Sequence, residues 1–459
     1  PNYQIKRQIK QQNHLLDETF LNKNDVKAFI FNTLKNNLSE RFLRHLHEVG
    51  VLGLLLPEFG HAHCRVSYDF YHRYTADEHS LRMVRFLEEL GNTPDEFKEL
   101  AEIYKPLDSK VMLKVSALLQ SIGKNKDWES PEQRLKILSL ATVHLSLNPD
   151  EARIADFLTG NAYLMIETAL HSDIHQPAVI ESFAKKVETL DKLNLLYLSS
   201  YAELRAVAPG TWTSWKKVLL SELYQRSRDY FKQPESLHSR SLTTWVEVYK
   251  ILHWEFPPED LEFHFNNMAE DYLATVRAEE AALHVRLIRS LKDKLFIFNH
   301  NHNEEGKYHQ VILCCPARFE AFKILVGALT ARSINILGAQ IYVRRDGMII
   351  ISLHIEETER LTGDNLKIWK NLNQDLRDVF EGQTDLPKLL AGRTRYISEK
   401  KSTEAIMPKV KVDNISDPNF SIFRIEARDH LGMLYKISKV FADFDIQIHS
   451  SKISTQGGR

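Results

Sequence analysis

From about residue 17 to residue 300 apolar side chains recur at helical spacing. Leu81, Val84, Leu87 and Leu90 mark one such stripe, and Leu193, Leu196 and Tyr197 another. The stretch predicts a bundle of about ten helices. Its punctuation agrees: Asn92-Thr93-Pro94-Asp95 and Ser130-Pro131-Glu132 put a capping residue and a proline at helix starts, while Pro209-Gly210 and Pro257-Pro258 interrupt the pattern. After residue 305 the period falls toward two. Tyr308–Cys315 reads as a strand, Phe319–Ala331 as a helix, and Ile334–Arg344 and Met348–Ile355 as strands joined at Arg345-Asp346-Gly347. This β-α-β-β order is most of a ferredoxin-like unit. It returns as strand Phe420–Ala427, helix Gly432–Phe444 and strand Ile446–Thr455, and laying Asn335–Ile341 on Asp445–Ile453 suggests a tandem repeat. Between the copies an amphipathic helix at Leu361–Phe380, followed by Gly382, Pro387 and Gly392, reads as a connector rather than a core.

Composition narrows the class. The 459 residues, 43% hydrophobic, suffice for more than one core. Sixty Lys and Arg against 61 Asp and Glu leave a net charge of −1, so no bulk field draws in nucleic acid or an anionic membrane. Three cysteines, two of them the neighbours Cys314 and Cys315, make neither a disulfide framework nor a zinc ribbon, which fits a reducing cytoplasm. No apolar run approaches the ~18 residues of a membrane span, and the first twenty residues are unlike a signal peptide. The expectation is a cytoplasmic multidomain protein. Pro1 and the terminal Gly457-Gly458-Arg459 read as cut ends.

Four segments, in order, carry a specific likeness. Tyr74-Thr75-Ala76-Asp77-Glu78-His79 resembles the "YTxDEH" opening of the HD domain in bifunctional PII uridylyltransferase/uridylyl-removing enzymes. Ala206–Lys216 is similar to that family's "GPGxWxxWK" segment, Glu279, Glu280 and His284 to its "PEE…H" helix, and Pro408–Asn414 to the stretch ahead of its last ACT pair. Together they span some 350 residues. The resemblance implies an all-α HD-type bundle followed by α+β, ferredoxin-like ACT modules. The expected division is a helical lead-in at 1–65, the HD-like domain at 66–235, a helical extension at 236–305, a first ACT-like domain at 306–356, a connector at 357–419 and a second, truncated ACT-like domain at 420–459.

An HD hydrolase needs imidazoles and carboxylates converging on a cation that acidifies water. By the resemblance, His79 stands at the first metal-binding position. The His-Asp pair falls on Gln120 and Ser121, the next His-His pair on Asn161 and Ala162, and the closing Asp on Glu203. One His and one Glu fall short of the three or four protein ligands such sites use, so the site reads as eroded. His79 and Glu203 stay as weak metal candidates. No cofactor is expected in this chain, although the parent family uses Mg or Mn. Asp77 and Glu78 also have a plain reading as first-turn carboxylates favoured by the helix dipole.

In the second ACT-type unit, Asp429, His430, Leu431, Gly432 and Met433 lie in Ala427–Leu434, which resembles the family's "DRPGLL" turn. A glycine there lets the chain bend into a helix start whose N–H groups suit an amino-acid carboxylate, and the plain alternative is a turn that only joins strand to helix. The first copy has Cys315-Pro316-Ala317-Arg318-Phe319 instead. His171, Asp173 and His175 read as a turn before a proline-led helix rather than a metal clip. Asn299-His300-Asn301-His302-Asn303 reads as a solvated loop, and Cys64 beside His61 and His63 as a chance adjacency.

The implied function is the regulatory C-terminal part of a PII uridylyltransferase-like nitrogen sensor, with PII-like protein and an amino acid such as glutamine as partners. The transferase domain would precede residue 1, and homo-oligomers through the ACT units are plausible. The rivals are a working hydrolase rebuilt around His79 and Glu203 with Asp77, His171 or Asp173, and a scaffold without any ligand.

Overall fold

A computed structural model of the chain describes residues 3–21, 23–65, 73–92, 97–120, 131–232, 237–269, 272–304, 306–316, 320–361, 366–391, 407–415, 420–427, 430–448 and 450–452. The chain forms two compact units, Pro1–Ala169 with Ile180–Gln233, and Leu170–Val179 with Pro234–Arg459. The first is helical and the second joins helices to antiparallel sheets. Among the described residues no helix is long and apolar enough to cross a membrane.

Three helices run through the middle of the first unit: Ala76–Glu89, Lys110–Gln120 and Leu190–Val207. The first packs against each of the other two. Every residue from Met112 to Gln120 is buried, as is nearly all of Leu195–Val207, and helices enclosed on all sides carry apolar residues all round. The helical region breaks into more and shorter pieces than its periodicity suggests. Three of the expected breaks are seen: helices start at Pro131 and Pro258, and one ends at Val207 before Pro209-Gly210; Thr93-Pro94-Asp95 and Ser130 lie outside the described residues. Asn148 caps Pro149–Gly160 by accepting from the Asp150 and Glu151 N–H groups, while Glu151 accepts from the Asn148 N–H.

Charged groups lie in this interior too, Lys114 among them. Lys114 is 2% exposed, with Nζ 2.8 Å from Glu88 Oε1 and donating to Asn36 O at 2.7 Å. Glu88 also accepts from the backbone N–H of Ser39. Burial pushes the Lys114 pKa down, and Glu88 opposes that fall.

The second unit is built on a five-stranded sheet in the order β1-β2-β4-β3-β7: β1 is Ile297–Asn303, β2 Tyr308–Pro316, β3 Ile336–Val343, β4 Met348–Glu356 and β7 Ser450–Lys452. Neighbours are antiparallel throughout. β2 is covered on both sides. Val311, Leu313 and Cys315 join the core with Leu325, Leu329, Leu372 and Leu376, whereas Ile312 and Cys314 meet Ala281, Ala282 and Val285 of the Ala278–Leu291 helix. Two-sided cover explains the uninterrupted apolar run Val311–Cys315.

Two expectations are corrected. The polar segment Asn299–Asn303 belongs to β1, in register with β2 from Ile297↔Cys314 to Asn303↔Tyr308; its alternating Asn and His is a period of two without apolar residues. The connector helix is also core: in Leu366–Phe380, Trp369, Leu372, Leu376 and Phe380 line one face and are buried under the sheet.

The two segments share a strand–strand–helix order among the described residues, and each starts one strand earlier than the apolar pattern suggests. β5, Lys409–Asp413, pairs with β6, Ile422–Glu426, as β1 pairs with β2. The helices Ala321–Ala331 and Met433–Asp443 follow, each of 11 residues. Their exits match at a spacing of 112 residues: Ser333 and Asp445 both have positive φ, of 58° and 54°. Ile334 N donates to Leu329 O as Ile446 N donates to Phe441 O. This spacing, two residues from the superposition that sequence rhythm suggested, aligns Gly432 with Glu320. The two helices pack together, and β7 hydrogen-bonds β3 through Gly338↔Lys452, Ala339↔Ser451 and Gln340↔Ser450.

A buried histidine gives this unit a pH dependence. His264, 3% exposed, has Nδ1 2.8 Å from Arg344 Nη1, and Arg344 also grips Asp346 with two nitrogens. Burial, then the Arg344 guanidinium, pushes the His264 pKa down to about 3. The unfolded chain, at about 6.5, therefore binds the proton first. The stability is full above pH 6.5 and is lost as pH falls toward 3, by roughly 2 kcal/mol at pH 5. Urea unfolding monitored by hydrogen exchange in Pro258–Asn266 should show this loss between pH 7.5 and 5.0, and His264→Gln should flatten it; an unchanged wild-type midpoint refutes the assignment.

Candidate functional site

The three central helices of the first unit each send one of the expected site residues to a common point. Glu203, 1% exposed, is at its centre. Gln120 Nε2 donates to Glu203 Oε2 at 2.7 Å, the Tyr163 hydroxyl donates to Oε1 at 3.2 Å, and His79 Nε2 lies 3.5 Å from Oε1. Residues up to 124 positions apart in the chain thus meet. Tyr163 was not singled out by sequence; its signal was only its place two residues past Asn161. Asn161 itself turns back and donates through Nδ2 to Phe157 O of its own helix. Ser121 lies outside the described residues.

The donor set decides what this cluster can hold. A divalent cation would need a free Glu203 oxygen and two or more further imidazoles or carboxylates. Here an amide N–H and a phenolic O–H occupy the carboxylate oxygens, and the described positions supply one imidazole and one carboxylate. These residues do not fit the hydrolytic cation of an HD enzyme. What the arrangement does is satisfy a buried carboxylate by hydrogen bonding.

Asp77 lies elsewhere. It is near the start of the Ala76–Glu89 helix, where its Oδ2 accepts from the Cys64 N–H at 2.9 Å and stands 3.0 Å from His47 Nε2 and 3.1 Å from His63 Nδ1. Burial alone would raise its pKa, but His47, Thr75 and the Cys64 and Glu78 N–H groups outweigh that and hold the carboxyl well below its usual range. The carboxylate therefore ties residues 63 and 64 to the helix. It also gives Cys64 more company than chance adjacency: Sγ is 3.6 Å from His63 Nε2, and the backbone there has φ 52°. Nothing in the sequence linked His47 to this group. Asp173 fills the plain role expected of it, with Oδ1 accepting from the His175 N–H at 3.1 Å.

Glu280 and His284, two of the motif residues, are enclosed against the sheet. Glu280 Oε1 accepts from Gln310 Nε2 at 2.8 Å and from the Ser352 hydroxyl at 3.2 Å, and His284 Nδ1 lies 2.7 Å from the Tyr272 hydroxyl. Glu280 fastens the Ala278–Leu291 helix to β2 and β4, and His284 ties it to Tyr272.

In the second α/β copy the expected turn is described from His430 onward; Asp429 lies outside. Gly432 has φ 87°, in the left-handed region, immediately before the Met433–Asp443 helix. Met433 N donates to His430 O at 3.0 Å, and Lys436 N to Gly432 O at 3.0 Å. A Cβ on Gly432 would stand 3.0 Å from Thr330 Cγ2 in the neighbouring helix. The matching Glu320 of the first copy is right-handed, at φ −88°. The second copy has a glycine at this position and the first has Glu320; residues 317–319 of the first turn lie outside the described residues.

Comparison with known proteins agrees with both regions. The family model described as ACR9-like, ACT-like domain matches residues 409–459, starting at β5. Bifunctional uridylyltransferase/uridylyl-removing enzymes are similar along the chain: 23% identity over 99% of it for the protein from Bradyrhizobium sp. strain BTAi1, 26% over 97% for that from Rhodospirillum rubrum, and 27% over 90% for that from Azospirillum brasilense. The matches take in 49%, 48% and 45% of those proteins, so the chain spans about half the length of the curated relatives it matches. Along nearly its whole length the chain is thus similar to the C-terminal half of bifunctional uridylyltransferase/uridylyl-removing enzymes, and its end matches an ACT-like domain.

Proposed function

We propose that this chain is the regulatory portion of a PII-directed, nitrogen-sensing protein of the cytoplasm, in which the helical unit no longer hydrolyses a phosphoester and the ACT-like module takes a small amino acid such as glutamine. The observation that carries the first half is the engagement of Glu203 by Gln120 and Tyr163, which puts neutral hydrogen-bond donors where a hydrolase needs a cation. The left-handed Gly432 ahead of the Met433–Asp443 helix supports the second. A ligand there would influence the rest of the unit through the packed helices and the β3–β7 pairing, provided it binds one arrangement better than another.

Incubating the purified chain with uridylylated PII and Mn2+ tests the hydrolase half. The expected result is UMP release no faster than the protein-free blank and unchanged in His79→Ala. Turnover that depends on His79 would make the helical unit a working enzyme and overturn the reading.

A further inference from the structure

Strand β1, expected to be a solvated loop, places a second group of ligating side chains in the α/β unit. His302 and His309 are directly opposed across β1 and β2, and His300, two residues along, shares the His302 face. β2 pairs with β4 through Tyr308↔Glu356, which brings Glu357 alongside. His302 Nε2 lies 3.1 Å from Glu357 Oε1, and one donor atom each from His302, His309 and Glu357 lie within 4.8 Å of one another. The His302 and His309 rings stack at 4.5 Å.

The support around these groups is also suited to coordination. His309 is 3% exposed with its Nε2 buried and outside hydrogen-bonding geometry, and the Leu361 backbone, His302 and Glu357 are the polar groups that act on the ring. Its other nitrogen, Nδ1, is 2.9 Å from His300 Nε2, and His300 stacks on Trp369 at 3.9 Å. If Nδ1 donates to His300, Nε2 is left as a lone-pair donor, the usual arrangement for an imidazole ligand held from behind. The His302 and Glu357 side chains are 33% and 16% exposed, so one side stays open to water. The 3.1 Å His302–Glu357 separation is already near the roughly 3.3 Å edge of a tetrahedron with ~2.0–2.1 Å bonds.

We propose that His302, His309 and Glu357 bind a borderline d-block dication of the zinc class, with water as fourth ligand and His300 as the positioning residue for His309. Two imidazoles and one carboxylate favour such an ion over Mg2+. Bridging β1, β2 and the end of β4, the ion fastens the leading strand to the sheet. The inference is independent of the proposed function.

The test uses the full chain, stripped with chelator and titrated calorimetrically with ZnCl2, alongside its His302→Gln, Glu357→Gln, His309→Ala and His300→Ala variants. The control is a His47→Ala/His63→Ala double variant, because those residues and Asp77 form another group of close donors. Expected is one equivalent of Zn2+ that the control retains, weakened at least tenfold in each ligand variant and about tenfold in His300→Ala. Zn2+ should also raise the thermal midpoint of wild type but not of His302→Gln. Should His309→Ala fail to fold, the partly exposed His302 and Glu357 variants decide the matter. No Zn2+ binding, or binding lost in the control but kept in folded His302→Gln and Glu357→Gln, overturns the site.

Discussion

Glu88→Ala is expected to destabilise the helical unit by about 3–5 kcal/mol, the usual cost of removing one partner of a buried ion pair. Lys114 would remain 2% exposed with its nearest counter-charge gone, and Asn36 O would be its chief remaining partner. The ammonium must then lose its proton or draw in water, and burial already pushes it toward the neutral form. The double variant Glu88→Ala/Lys114→Met is expected to recover most of the loss, because an apolar pair of similar volume carries no uncompensated charge. Urea unfolding followed by far-UV circular dichroism measures both. A single variant within 1 kcal/mol of wild type would mean that the pair contributes little.

Gly432→Val is expected to disable the ACT-like module. A β-branched residue at φ 87° costs about 1–3 kcal/mol, and its Cβ would press on Thr330 Cγ2 at 3.0 Å. The helix Met433–Asp443 should lose hydrogen-exchange protection as it is levered off Ala321–Ala331, and titration with glutamine should give saturable heat in wild type and none in the variant. Gly432→Asn, which tolerates the left-handed region better, should lose less protection. Equal heats from wild type and Gly432→Val would remove the turn from the ligand site, whereas a wild type without glutamine heat would sink the sensing proposal itself.

The sequence disclosed the helical region, the sheet segments and the second-copy turn because each rests on local signals: apolar period, proline and glycine. The meeting of His79, Gln120 and Glu203 was expected only through family resemblance, since residues so distant leave no mark on one another's neighbourhood. β1 was misread because Asn299–Asn303 has no apolar residue to show its alternation, although His300 and His302 two apart, followed by the strand containing His309, were the available clue. The Leu366–Phe380 helix was misjudged differently. Its stripe was visible, but what covers a stripe is decided by the distant strands it packs on. His47 escaped notice because its tie to Asp77 spans 30 residues.

The junction between β3 and β7 is made of main-chain amides and carbonyls, which every residue except proline carries in full. Replacing a side chain therefore removes none of these hydrogen bonds. A pair joined in this way can differ at its elbows, one with a glycine and the other without, and keep its main-chain junction.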